Sequence, residues 1–140
     1  MYYIQTIMKN NILKFTIYLY YLSLIALLII YLFPGSIIGY FLYGNSGIQP
    51  NLVDNPIGTS INHFFYFFFL SFLGSIYNLN EQKFINNIFF LFILSILLEL
   101  FHFVIPNRAF ELIDVMANSI GVAAVYLIFF FKKKFLNEKI

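Results

Sequence analysis

Glu99, His102, Arg108, Asp114 and Asn118 fall within one stretch, ELFHFVIPNRAFELIDVMANSIG at residues 99–121, of a chain otherwise poor in charge. His63 stands apart from them, at the head of another apolar run. Carboxylates and imidazoles can trade a proton, and a guanidinium can hold a phosphate or carboxylate in bidentate fashion. Ionisable groups are costly in hydrocarbon, and those that persist usually face a protein interior and mark a working site. The elements that carry these residues decide whether they meet.

The composition says what kind of elements those are. Of 140 residues, 61% are hydrophobic and 10% charged, with a mean hydropathy of +0.85. Soluble proteins carry about 25% charged residues, so this chain is expected to be integral to a membrane. The absence of cysteine removes disulfides, thiolate nucleophiles and thiolate metal ligands together. A net charge of +2 is too small to suggest a nucleic-acid partner.

Four apolar runs are long enough for helices in a bilayer, where about 20 apolar residues cross the hydrocarbon core. They cover residues 15–33, 61–77, 84–105 and 113–131. Lys9 and Lys14 precede the first, which Pro34-Gly35 stops. The first run could be a signal peptide, but it exceeds the usual 7–15 apolar residues and no small-x-small site follows, which favours a retained anchor. The loop to Ser60 is rich in Gly, Pro and Asn, has Asp54 as its one charge, and contains IIGYFLYG, apolar enough for the interface but too short to span. A polar turn at Asn78–Lys83 and a connection at Pro106–Leu112 make the later runs antiparallel neighbours. The expected fold is all-α, a single domain and integral membrane bundle of four transmembrane helices.

Lys9, Lys14, Lys83, Lys132, Lys133, Lys134 and Lys139 fall on one side of that bundle, and only Arg108 on the other. The positive-inside rule then makes both termini cytoplasmic. His63, Glu99, His102, Asp114 and Asn118 all gather at the extracytoplasmic end. At ~1.5 Å per residue, Glu99 and Asn118 lie roughly 8–9 Å below the outer boundary. Glu99 and His102 are i,i+3 neighbours, and Asp114, Asn118 and Gly121 share one helical stripe, where the glycine permits close helix contact.

His63-Phe64, Glu99 with His102, Pro106-x-Arg108-x-Phe110, Asp114, Asn118 and Gly121 resemble the pattern of VanZ-like membrane proteins over about residues 59–125. The family usually has Gln at the position of His102, and an Asp-Lys pair where this chain has Thr59 and Ser60. The resemblance implies a small multi-spanning membrane protein of the cell envelope, in a family whose namesake is associated with low-level resistance to the lipoglycopeptide teicoplanin.

Each residue also has a plainer role. Glu99 could be one half of an interhelical polar pair, Arg108 could snorkel to headgroups, Asp114 could favour a helix start, and Asn118 could make one interhelical hydrogen bond. His63 and His102 could be interfacial. Glu-x-x-His is one element of di-iron sites, but the remaining elements are missing. A zinc held by His63, His102 and a carboxylate matches no known spacing, so no metal and no cofactor are expected.

The first expectation is a ligand-binding site formed by Arg108, Glu99, Asp114, Asn118 and His63, with His102 helping to orient the ligand. Its partners would be membrane lipid and a lipid-linked cell-wall precursor or lipoglycopeptide. An intramembrane hydrolase or transferase acting on a lipid headgroup is the alternative. Its catalytic candidates are Glu99, His102 and Asp114, with Arg108 stabilising developing charge. A structural or transport component is the third.

Overall fold

The computed structural model describes residues 2–50, 58–77 and 81–137. Asp54, the Asn78–Asn80 part of the polar turn and the last three residues lie outside the described residues. Five helices make up the described chain: α1 (Tyr2–Leu32), α2 (Ile37–Tyr43), α3 (Ser60–Tyr77), α4 (Glu81–Phe101) and α5 (Leu112–Asn137). The fold is all-α. Three segments, Asn11–Leu32, Lys83–Phe101 and Leu112–Lys132, are long and apolar enough to cross a membrane, and Ser60–Ile76 is a shorter apolar helix.

Helix α3 is the centre of the bundle and packs on α1, α4 and, most extensively, α5. Its buried stripe, Ser60, His63, Phe67, Leu70, Ser71 and Gly74, recurs every three to four residues, as a helix with one enclosed face requires. Phe67 and Leu70 meet Tyr20, Leu27, Tyr31, Leu91, Leu98 and Val122 in the apolar core. The outer surface is apolar too. Phe15, Tyr18, Leu22, Phe89, Phe103 and Val104 are at least 65% exposed, a surface that hydrocarbon solvates and water does not.

Gly121 sets how closely α5 approaches α3. A methyl group there would lie 2.6 Å from the Phe64 carbonyl oxygen and 3.0 Å from the Phe68 nitrogen, so only hydrogen fits. This brings Asn118 and Asp114, one and two turns earlier, against the head of α3.

Several boundaries differ from those expected. Helix α1 begins at Tyr2, so the segment before Phe15 continues the helix. The apolar IIGYFLY is a helix of its own, α2, capped by Ser36 Oγ, which accepts from the Gly39 N–H at 2.9 Å, and ended by Gly44 in the left-handed region. Helix α4 stops at Phe101 rather than Ile105. His102, Phe103 and Val104 bond back three residues, to the carbonyls of Glu99, Leu100 and Phe101. Pro106 disfavours helical backbone at the residue before it, and Asn107 turns the chain with a φ of 59°. Helix α5 runs on through Lys132–Lys134 to Asn137, because lysines are good helix formers and suit a helix C-terminus.

Candidate functional site

The ends of four helices meet at one pole of the bundle. Helix α1 stops at Leu32, just before Pro34 and Gly35, and the chain folds back so that the Ser36 N–H donates to the Ser46 carbonyl at 2.6 Å. Helix α3 begins beside this turn, α4 ends there, and α5 starts there. Each end supplies polar side chains: Tyr31, His63, Glu99 with His102, and Asp114 with Asn118. All six are buried, and Glu99 and Asn118 have no exposed surface.

Tyr31 is the hub. Its hydroxyl donates to Asn118 Oδ1 at 2.9 Å and meets His63 Nδ1 on its other side. Its ring stacks on His102, with centroids 5.5 Å apart, and stands edge-on to His63 at 5.2 Å. The His102 Nε2 faces the Tyr31 carbonyl at 3.3 Å, and Nδ1 donates to Glu99 Oε1 at 3.0 Å. The same carboxylate oxygen accepts the Glu111 N–H at 3.2 Å, so Glu99 ties the end of α4 to the start of α5.

Asp114 lies in the first turn of α5, where a carboxylate favours the helix dipole. Its Oδ2 is also 3.5 Å from His63 Nε2, so the helix-start role and the site role are held together. Three buried polar atoms around this centre have no hydrogen-bond partner among the described residues: Glu99 Oε2, Asp114 Oδ1 and Asn118 Nδ2. Buried polar atoms are rarely left so.

Arg108 is half-buried on the turn between α4 and α5. It donates from Nη2 to the Ile30 carbonyl at 2.7 Å, from Nε to the Phe33 carbonyl at 3.3 Å and, more weakly, from Nη1 to Gln49 Oε1 at 3.4 Å. It therefore caps the C-terminus of α1, satisfying carbonyls that no helical N–H reaches. Burial lowers its pKa from the ordinary guanidinium value, opposed by Tyr31, Glu99 and Asp114 nearby.

A pocket of about 200 Å³ opens over the cluster, lined among others by Ser36, Gln49, His63, Arg108, Glu111 and Asp114. All six residues singled out in the sequence thus lie in one place, and four of them form two direct pairs, His63 with Asp114 and His102 with Glu99. Two participants were not foreseen. Tyr31 sits in a run with several tyrosines, where nothing marks it as the one facing inward. Glu111 takes part through its backbone, which carries no sequence signal.

No family model, curated protein or solved structure matches this chain. The functional argument therefore rests on the residues and their geometry.

Proposed function

We propose that the chain is a VanZ-like membrane protein of four spans, with both termini cytoplasmic, whose outer-face pocket binds an anionic headgroup. The ligand class is a lipid-linked cell-envelope precursor or a lipoglycopeptide. One observation carries this reading: a pocket at one pole gathers His63, His102, Asp114 and Arg108 from separate elements. Arg108 is the one basic residue of eight expected on that face. Three of its five N–H groups are engaged among the described residues, which leaves two for a ligand.

The packing of α3 supports the fourth span. At ~1.5 Å per residue α3 reaches roughly 27 Å, near the lower limit for crossing the hydrocarbon. Its neighbours α1, α4 and α5 meet its polar ends in place of lipid. A reporter fused after Asn137 should then be active only in the cytoplasm, and one placed at Asn45–Gly47 only outside.

The binding test uses purified protein in nanodiscs. Wild type should bind a short-chain polyprenyl pyrophosphate more tightly than a zwitterionic lipid, and Arg108→Gln should weaken that binding about tenfold or more, the value of a charge-assisted hydrogen bond. In expressing cells at matched abundance, the same substitution should reduce protection against teicoplanin. Equal binding of both lipids, or unchanged binding by a folded Arg108→Gln protein, would rule this function out.

A further inference from the structure

We propose that His63, Glu99 and Asp114 form a binding site for one divalent metal ion of the zinc class. This departs from the sequence expectation of no metal, which considered spacing along the chain. Three helices supply the ligands here, so no linear signature exists to be found. One ligand atom from each residue lies within 4.8 Å of the other two, and all three residues are buried. The separation of 3.5 Å between His63 Nε2 and Asp114 Oδ2 is close to the ~3.4 Å edge of a tetrahedron with zinc bonds of about 2.0–2.1 Å.

The hydrogen bonds around the three residues say what the gap between them lacks. The Tyr31 hydroxyl has one proton and gives it to Asn118 Oδ1. His63 Nδ1 must then donate to the Tyr31 oxygen, and in the neutral imidazole this leaves the Nε2 lone pair pointing at a carboxylate. Glu99 uses Oε1 for His102 and the Glu111 N–H, while Oε2 has no partner; Asp114 Oδ1 has none either. Electron-rich atoms therefore converge without a donor. No Lys or Arg among the described residues pairs with either carboxylate. A divalent cation would accept lone pairs from a carboxylate oxygen of Glu99, one of Asp114 and a neutral His63 Nε2.

The surroundings match those of a metal centre. A metal-bound imidazole usually donates its other N–H to an acceptor, and ligating carboxylates are themselves hydrogen-bonded. Tyr31 serves His63 in this way and His102 serves Glu99. The pocket over His63 and Asp114 leaves a fourth position for water or an incoming oxygen, as open zinc sites have. The ligand set is nitrogen and oxygen only, in a chain without cysteine. The proposal does not rest on the headgroup reading, since a metal can be held whether or not a lipid binds.

The experiment is a titration of the full chain, purified without a histidine tag, stripped with chelator and offered Co²⁺ and then Zn²⁺. Visible absorption reports Co²⁺ in a low-symmetry protein site, and elemental analysis gives the stoichiometry. Wild type should take up one equivalent, lose the cobalt band to Zn²⁺ and gain thermal stability with either ion. Glu99→Gln and Asp114→Asn should each weaken binding by more than 100-fold, whereas His102→Gln should weaken it about 10–100-fold, the range for a residue that only orients a ligand. Should the carboxylate variants fail to fold, the wild-type stoichiometry and zinc-induced stabilisation decide alone. Folded wild type that shows no saturable uptake of either ion, or Glu99→Gln that binds as wild type does, overturns the proposal. The His63–Asp114 gap then holds a proton, with the Asn118 amide turned to donate to Tyr31.

Discussion

Two tyrosine–asparagine hydrogen bonds join helices across the bundle, and they are built differently. Toward the α3–α4 turn, Tyr20 donates to Asn87 Oδ1 at 2.7 Å, and Gly74 makes room, since a methyl group there would lie 2.3 Å from Asn87 Nδ2. Both partners are neutral, and neither lines the polar pocket. At the opposite pole, Tyr31 also donates to an asparagine, but that pair is embedded among two imidazoles and two carboxylates beneath a pocket. One hydrogen bond suffices to register α1 against α4. Glu99 and Asp114, with an unpartnered oxygen each, exceed what registration requires. The difference is one of charge: Asn87 Nδ2 also lacks a partner, but it belongs to a neutral amide, whereas at the other pole two carboxylate oxygens are left without one.

The strongest attempt to break this distinction is Glu99→Ala. It strands His102 Nδ1 and the Glu111 N–H and leaves a cavity at a site with no exposure, which should cost about 3 kcal/mol or more. Glu99→Gln keeps the Oε1 acceptor and should retain most of the abundance and thermal stability while losing the ligand binding proposed for this pole. Equal stability losses in the two variants, measured by thermal unfolding in detergent, would assign Glu99 to scaffolding.

Gly121→Ala comes next, at about 1–3 kcal/mol, because the added methyl meets backbone rather than a side chain that could move. It should affect the Tyr31 pole more than the Tyr20–Asn87 contact, since Asn118 and Asp114 ride on the displaced helix. Hydrogen exchange resolved by helix would show whether α5 loosens first at its N-terminal end.

Much of this pole was legible in the sequence, because charge is scarce enough in this chain for each ionisable residue to stand out. Antiparallel helices joined by short turns had to bring Glu99, Asp114 and Asn118 to one end, and the stripe through Gly121 named the seam. Three things were not legible. Tyr31 looks like its neighbours in an apolar run, and only the packing of α1 on α3 turns it inward. Arg108 carries a charge that suggested a ligand, yet most of its bonds cap α1, a partner 75 residues away in sequence. The end of α4 at Phe101 depends on Pro106 and on the turn at Asn107, while apolar composition continues unchanged through Ile105.

The smallest expected effect sharpens the comparison most. Tyr20→Phe alone should cost about 1 kcal/mol by leaving Asn87 Oδ1 without its donor, and Asn87→Leu alone should cost about as much through the Tyr20 hydroxyl. The double variant removes both polar groups at nearly constant shape and should return to within about 0.5 kcal/mol of wild type, because replacing both partners of a buried bond can be close to neutral. Tyr31→Phe with Asn118→Leu is the same chemical exchange at the other pole. It should not cancel, since His63 Nδ1 also loses its partner and the imidazole is no longer held toward Asp114. Thermal unfolding of the four single variants, the two double variants and wild type gives both coupling energies. Recovery in the Tyr20–Asn87 pair alone is the outcome of a neutral contact set against a charged cluster, whereas recovery in both would make the Tyr31 cluster a second helix lock.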